Sequence, residues 1–133
     1  MNDGPCPCGS GATYALCCGP IHARGAGLGA TAEQLMRARY TAYVRGDEGF
    51  LARSWHPDTR PDPIAPDPAI DWLGLTVLDT TGGTGFDAEG TVTFEARYEL
   101  AGRRSAMAER SRFVRLDGAW VYVDGDGRPV AAG

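Results

Sequence analysis

The clearest hydrophobic pattern in the chain lies between residues 31 and 45. Apolar side chains recur there every three or four positions, which is the spacing of one face of an α-helix. Thr31 is a favourable N-cap residue, and Gln34 completes a capping box three positions later. Gly46 stands where helices commonly end in the left-handed conformation. The pattern therefore predicts a helix over residues 31–45. Its apolar residues are Ala32, Leu35, Met36, Tyr40, Tyr43 and Val44.

A second, shorter helix is predicted to start at Asp47 and to carry Phe50 and Leu51. It should end near residues 55–57, because Pro57 disfavours helical geometry in the residue before it. Five prolines follow between positions 57 and 69, so this segment must be extended or loop.

Beyond residue 70 the hydrophobic period changes from that of helices to that of strands. Four strands are predicted, over residues 72–79, 91–98, 104–116 and 120–123. The dipeptides at 101–102 and 117–118 (Ala-Gly and Asp-Gly) are turn signals between consecutive strands. Two helices followed by an antiparallel meander predict an α+β domain in which the helices cover one face of a curved sheet.

The segments outside this domain differ in composition. Residues 1–22 are rich in Gly, Pro and Cys, and residues 23–30 resemble a flexible, glycine-rich linker. We therefore divide the chain into a knuckle (1–22), a linker (23–30), the α+β domain (31–127) and a tail (128–133).

Charge and composition exclude several classes of protein. The formal net charge of −4 does not favour nucleic-acid or membrane-surface binding, which need positive charge. No apolar run approaches the roughly 18 residues that span a bilayer. The N-terminus has neither the positive flank nor the apolar stretch of an export signal, so we expect a cytoplasmic protein.

Four cysteines within thirteen residues carry the strongest chemical signal: Cys6, Cys8, Cys17 and Cys18. Thiolates are preferred zinc ligands, and four of them complete a tetrahedral shell. Glycines at 9 and 11 permit the reversal that brings the second pair of cysteines to the first. The spacing predicts one structural zinc ion, since a catalytic zinc keeps a position open for water.

Three alternatives to this zinc site stay open. Two disulfides are possible, although the adjacent Cys17 and Cys18 would be awkwardly placed and cytoplasmic chains rarely keep disulfides. A redox role is possible, although the Cys-x-x-Cys spacing is absent. His22, just past the knuckle, could replace one cysteine ligand.

The segment CPCGSGATYALCCG at residues 6–19 resembles the SEC-C motif, a zinc motif also found in the SecA preprotein-translocase ATPase. Four further segments are similar to the YchJ-like family of bacterial proteins. They are LMRARYTAY (35–43), SWHP (54–57), WLGLTV (72–77) and ERSRF (109–113). This resemblance covers nearly the whole chain. It implies a cone-shaped domain similar to nuclear transport factor two, and it implies no established activity.

Two departures from the resembled proteins bear on function. Many longer relatives carry a second SEC-C motif after the last strand, whereas this sequence stops at Gly133 without one. Ala12 and Thr13 stand where such motifs commonly carry a lysine pair. Four thiolates around a dication are also formally negative, so docking of an acidic partner to this knuckle is disfavoured.

Two charged residues fall on faces predicted to be buried. Arg39 lies four residues after Leu35 and four before Tyr43, in the middle of the apolar stripe. Strand alternation places Glu109 on the same face as Phe113. Because charged residues are rarely buried without a partner, we expect Arg39 and Glu109 to form a buried ion pair inside the cone.

The concave interior of the cone supplies a candidate pocket formed by Arg39, Tyr43, His56, Glu109 and Ser111. His56 could act as an acid or base, or could bind backbone groups at the end of its helix. No Ser-His-acid set and no phosphate-binding loop can be identified. We therefore assign no catalytic residue and no cofactor-binding residue beyond the zinc ligands.

Two functions are consistent with these features. The first is a zinc-containing, non-enzymatic adaptor or binding module for a protein partner or a small molecule. The second is a small-molecule-binding protein or enzyme that uses the interior of the cone. A cavity with converging polar groups would favour the second, and a cone filled by its own aromatic side chains would favour the first.

Overall fold

A computed structural model of the chain describes residues 5–24, 31–61, 64, 67–84, 87–125 and 128–130. The helices in these ranges are α1 (Cys18–Arg24), α2 (Ala32–Arg45) and α3 (Glu48–Arg53), and a 3-10 turn at Tyr14–Leu16 precedes α1. The strands are β1 (Asp71–Gly82), β2 (Glu89–Leu100), β3 (Arg103–Leu116), β4 (Ala119–Gly125) and β5 (Arg128–Val130).

The strands form one antiparallel sheet in the order β1-β2-β3-β4, and β5 pairs with residues 106–108 of β3. Both central residues of the β2–β3 and β3–β4 turns have positive φ angles, which is the geometry that tight hairpins require. The α+β architecture predicted from the sequence is thereby confirmed.

Helix α2 has the ends that its sequence predicts. The Thr31 hydroxyl accepts a hydrogen bond from the Gln34 amide, and the Gln34 side chain accepts one from the Thr31 amide. Gly46 ends the helix with φ +69°, a left-handed conformation that glycine adopts without steric cost. The N-terminus of helix α3 is also capped by a side chain, because the Asp47 carboxylate accepts a hydrogen bond from the Phe50 amide.

Strand β1 departs from strict alternation. Its register against β2 shifts between Trp72 and Gly74 and again between Val77 and Asp79. The residues passed over at these β-bulges, Leu73 and Leu78, are exposed. Each bulge inserts an extra residue, so the inward-facing positions change phase along the strand.

Two predicted boundaries need correction. Helix α1 extends through residues 23 and 24, which the sequence analysis assigned to the linker, while residues 25–30 lie outside the described residues. Residues 128–130 of the predicted tail form β5, because the chain returns to pair with β3. Residues 131–133 also lie outside the described residues.

The core lies between α2, α3 and one face of the sheet. Its largest fully buried side chains include Leu35, Phe50, Leu51, Phe113 and Trp120. The buried cysteines of the knuckle pack into the same hydrophobic cluster. Helix α2 therefore has the sheet on one side and the cysteine segment on another.

Candidate metal centre and the adjacent cavity

The four cysteine side chains converge at the N-terminus of the fold. Their sulfur atoms all lie within 4.8 Å of one another. Cys6, Cys8 and Cys18 are buried, and Cys17 is half-buried. The reversal between the two pairs uses Gly9 at φ +78° and Gly11 at φ +90°.

The spacing of the sulfurs fits a metal ion better than disulfide bonds. The Sγ atom of Cys17 lies 3.5 Å from that of Cys8 and 3.9 Å from that of Cys18. A disulfide bond is about 2.05 Å long. Four sulfurs at 2.3 Å around a tetrahedral zinc ion would lie about 3.8 Å apart. The four thiols could thus hold one metal ion.

Hydroxyl groups surround the thiols as hydrogen-bond donors. Thr41 of α2 donates to the Cys18 sulfur at 3.4 Å, and its hydroxyl lies 3.7 Å from the Cys6 sulfur. The Ser10 hydroxyl lies 3.1 Å from the Cys17 sulfur. Such donors stabilise negative sulfur, the form that binds metal.

The cysteine segment is joined to α2 by further polar contacts. Arg37 donates to the carbonyl oxygen of Cys8 at 2.9 Å. The His22 ring lies with Nε2 2.8 Å from the Ala38 carbonyl oxygen and Nδ1 2.8 Å from the Tyr14 hydroxyl. Both ring nitrogens of His22 are therefore engaged away from the thiols, which argues against His22 as a metal ligand.

A cavity of about 230 Å³ lies between α2 and the sheet. Its charged or hydroxyl-bearing lining residues are Arg39, Tyr40, Tyr43, Glu109, Ser111 and Tyr122. The rest of the described lining is Met36, Trp72, Phe94, Ala96 and Met107. Four of the five candidate pocket residues thus lie together.

His56 is the candidate that does not line this cavity. Its Nδ1 accepts a hydrogen bond from the Asp58 amide at 3.0 Å. Its own backbone amide donates to the Tyr122 carbonyl oxygen at 2.7 Å. The residue holds the loop after α3 against β4, which is the backbone-binding alternative considered for it.

Arg39 is only 3% exposed, and two aromatic rings lie against its guanidinium. The Cζ atom lies 4.7 Å from the centre of the Trp55 ring and 4.5 Å from that of Tyr122. Nη1 donates to the Ser54 hydroxyl at 2.7 Å and to the Leu51 carbonyl oxygen at 3.2 Å. Burial lowers the pKa of Arg39 to about 10, so the side chain stays protonated at neutral pH.

The expected ion pair between Arg39 and Glu109 is not formed. Within the described residues, no salt bridge of 4.0 Å or less joins them. Oε2 of Glu109 instead accepts hydrogen bonds from Ser111 at 2.5 Å and from the Tyr122 hydroxyl at 3.1 Å. The Tyr122 side chain therefore connects the two charges, with its ring against Arg39 and its hydroxyl on Glu109.

Two positions on β4 make this arrangement possible. Burial, followed by the charge of Glu109, raises the pKa of Tyr122, so its hydroxyl is held as a donor. A Cβ atom at Gly125 would occupy the space of the Glu109 carboxylate. Neither role is apparent from the sequence, although alternation from the buried Trp120 places Tyr122 on the same face.

Within the described residues, no helix is long and apolar enough to cross a membrane.

The SEC-C motif matches residues 5–20, and the middle NTF2-like domain of YchJ matches residues 31–125.

Relatives of similar length resemble the chain throughout. A UPF0225 protein of Streptomyces coelicolor is 52% identical, with 92% of this chain and 94% of the relative covered. One from Ralstonia nicotianae is 51% identical, with 91% and 90% covered.

Solved structures of two proteins containing a SEC-C motif are also similar. The one from Rhodopseudomonas palustris is 36% identical, with a TM-score of 0.79, and covers 95% of this chain and 98% of its own. The one from Psychrobacter arcticus is 25% identical, with a TM-score of 0.69, and covers 96% and 82%.

Proposed function

The chain belongs to the YchJ-like family of UPF0225 proteins, and we propose that it is a zinc-containing, non-enzymatic binding module or adaptor. The observation that carries this proposal is the set of four converging thiols. Sulfur donors in a tetrahedral arrangement select zinc or iron, and zinc is the usual occupant of isolated four-cysteine sites.

The metal in this proposal is structural. Four protein ligands would close the coordination shell and leave no position for water or a substrate. The hydrogen bonds from Thr41 and Ser10 satisfy the thiolates without offering an acid or base for chemistry. Both histidines of the chain are engaged outside the cavity, so no imidazole is available there.

Elemental analysis of protein purified without added metal tests this function. We expect about one zinc per chain, because one four-thiolate site holds one ion. Cys8→Ser should lower the zinc content well below that value, whereas Ser10→Ala should keep it. Iron in place of zinc, or no metal together with intact disulfides by mass spectrometry, would contradict the proposal.

The partner is proposed to be a protein or a small molecule rather than a nucleic acid or a membrane. The acidic net charge supports this choice, as does the pairing of surface arginines with acids. The pairs are Arg37–Glu33, Arg97–Glu95, Arg104–Glu99 and Arg112–Asp124. Titration with labelled single- and double-stranded probes at physiological salt should give a Kd of about 10⁻⁴ M or weaker. Submicromolar binding would contradict it.

A second candidate function is the binding of a small molecule in the cavity. The specific observation in its favour is the feature named above as favouring this function: a mostly apolar cavity of about 230 Å³ also receives Arg39, Tyr43, Glu109 and Ser111. Apolar walls with a few polar groups at one end are typical of ligand sites.

A cavity-filling variant tests this second function. Ala96→Leu adds side-chain volume inside the cavity and should abolish binding of any molecule that enters it. Ala88→Leu, at an exposed position, should leave such binding unchanged. Binding that survives Ala96→Leu would place the ligand elsewhere.

A further inference from the structure

The size of the cavity limits its occupant to a molecule of one ring. An apolar cavity of about 150 Å³ is large enough to hold benzene. The cavity between α2 and the sheet, at about 230 Å³, therefore accommodates a single ring with a small substituent. A fused or multi-ring ligand would need the walls to move.

The walls of the cavity favour an aromatic body. Trp72 packs its ring against those of Tyr40 and Tyr43, with centroids 5.8 and 6.1 Å away. Met36 and Met107 contribute thioethers, which make favourable contacts with aromatic rings. A flat apolar ring inserted between such groups gains both buried area and edge-to-face contacts.

The polar end of the cavity is electrically balanced. Arg39 contributes one positive charge, and the carboxylate of Glu109 contributes one negative charge. An anionic ligand would be attracted by Arg39 and repelled by Glu109, and a cationic one the reverse, so neither gains a net Coulomb attraction that offsets its loss of hydration. Opposite charges at one end of a cavity thus disfavour any ligand with a net charge.

The same groups specify which polar substituent fits. Ser111 and Tyr122 both donate to Oε2 of Glu109, which fixes the carboxylate in position as an acceptor. Arg39 and Tyr43, which line the same cavity, carry N–H and O–H donors. A hydroxyl group can donate to the carboxylate and accept from these donors at the same time.

From this geometry we infer that the cavity binds an uncharged, single-ring aromatic molecule that carries a hydroxyl group. The inference rests on the cavity-binding function proposed above and names its class of ligand. Phenol is the simplest probe of the class. Benzene, benzoate and protonated benzylamine are its matched apolar, anionic and cationic counterparts.

The test is a titration of the full-length protein, with the methyl groups of Met36 and Met107 observed by NMR. Ring currents of an aromatic ligand will shift both methyl signals if it occupies the cavity. Phenol should bind about tenfold or more tightly than each counterpart. Benzene cannot form the hydrogen bond to the charged acceptor, and benzoate and benzylamine are each opposed by the like charge in the cavity.

Glu109→Gln sharpens the test. It removes the negative charge and leaves Arg39, so benzoate should gain affinity and bind more tightly than phenol. Glu99→Gln removes the same charge from a site outside the cavity and should leave the ranking of the probes unchanged. If Glu109→Gln does not fold, the ranking on the unmodified protein decides.

The outcomes separate this inference from the function on which it rests. Equal binding of phenol and benzene, or tighter binding of benzoate by the unmodified protein, would overturn the hydroxyl-bearing class while the cavity remained a binding site. If no probe shifts the signals of Met36 and Met107 at millimolar concentration, both the inference and the cavity-binding function are overturned.

Discussion

The buried guanidinium of Arg39 shows what sequence patterns predict, and what they do not predict, about a single residue of this chain. Helical phase correctly placed Arg39 on the buried face of α2. The prediction that Glu109 is its ion-pair partner was wrong. Strand alternation predicts the face of the sheet on which a side chain lies, but not which neighbouring side chain it reaches. Trp55 and Ser54, which do contact Arg39, lie just after α3, where no periodicity specifies position.

Replacing Arg39 measures how much its contacts with these residues contribute to stability. We expect Arg39→Met to lower the free energy of unfolding by about 3 kcal/mol, since it removes two cation–π contacts and the two buried hydrogen bonds to Ser54 and Leu51. Denaturant unfolding followed by tryptophan fluorescence measures the loss. Arg103→Met, at an exposed position, is the control and should stay within about 0.5 kcal/mol of the parent.

The double variant Arg39→Met with Glu109→Leu distinguishes the observed arrangement from a direct ion pair. Because Tyr122 stands between the two charges, their coupling should be less than about 1 kcal/mol, and the double variant should be near the sum of the single ones. Recovery of most of the Arg39→Met loss in the double variant would mean that the charges pair directly in solution.

At the scale of elements, the sequence predicts best where local chemistry alone decides the geometry. The capping box of α2, its glycine end and the tight β-hairpins all follow from a few neighbouring residues. The β1 bulges and strand β5 depend instead on pairing with distant segments. Helix α1 was missed because a segment of 7 residues that includes a glycine is too short to form a stable helix in isolation, whereas packing against α2 stabilises it.

The N-cap of α2 offers a direct test at this scale. Thr31→Ala removes the hydroxyl that accepts from the Gln34 amide, so we expect a loss of about 1 kcal/mol in the free energy of unfolding. Thr31→Ser keeps the acceptor and should retain most of the stability. Chemical denaturation monitored by circular dichroism provides both values. Equal losses in the two variants would show that the methyl group of Thr31, rather than its hydroxyl, is what matters.

On the scale of the whole molecule, the cysteine segment and the α+β domain pack together more closely than the sequence suggested. A glycine-rich segment indicates freedom in the connection, but it says nothing about whether the connected surfaces are complementary. Arg37 of α2 reaches the Cys8 carbonyl oxygen. His22 reaches the Ala38 carbonyl oxygen and packs its ring 4.5 Å from that of Phe50. Both contacts place the four thiols against the helix that also lines the cavity.

Metal removal should therefore destabilise the whole fold and not the first 24 residues alone. The thiols of Cys6 and Cys18 are hydrogen-bonded to Thr41 of α2 inside the core. A disordered knuckle would therefore expose the face of α2 that carries Thr41 to water. We expect chelator treatment, or Cys8→Ser, to lower the free energy of unfolding by more than about 2 kcal/mol in a single transition, because an ion that binds only the folded state stabilises all of it.

Amide NMR spectra of the metal-bound and metal-free protein provide the measurement. Signals of α2 and of the sheet should move together with those of the cysteine segment. Thr41→Val is the matched variant that keeps all four thiols. It should retain the metal but weaken the coupling, whereas Thr93→Val, on β2 and distant in sequence from every thiol, should change neither the metal content nor the coupling. If metal removal leaves the sheet signals and the thermal midpoint unchanged, the two parts are independent, as their glycine-rich connection first suggested.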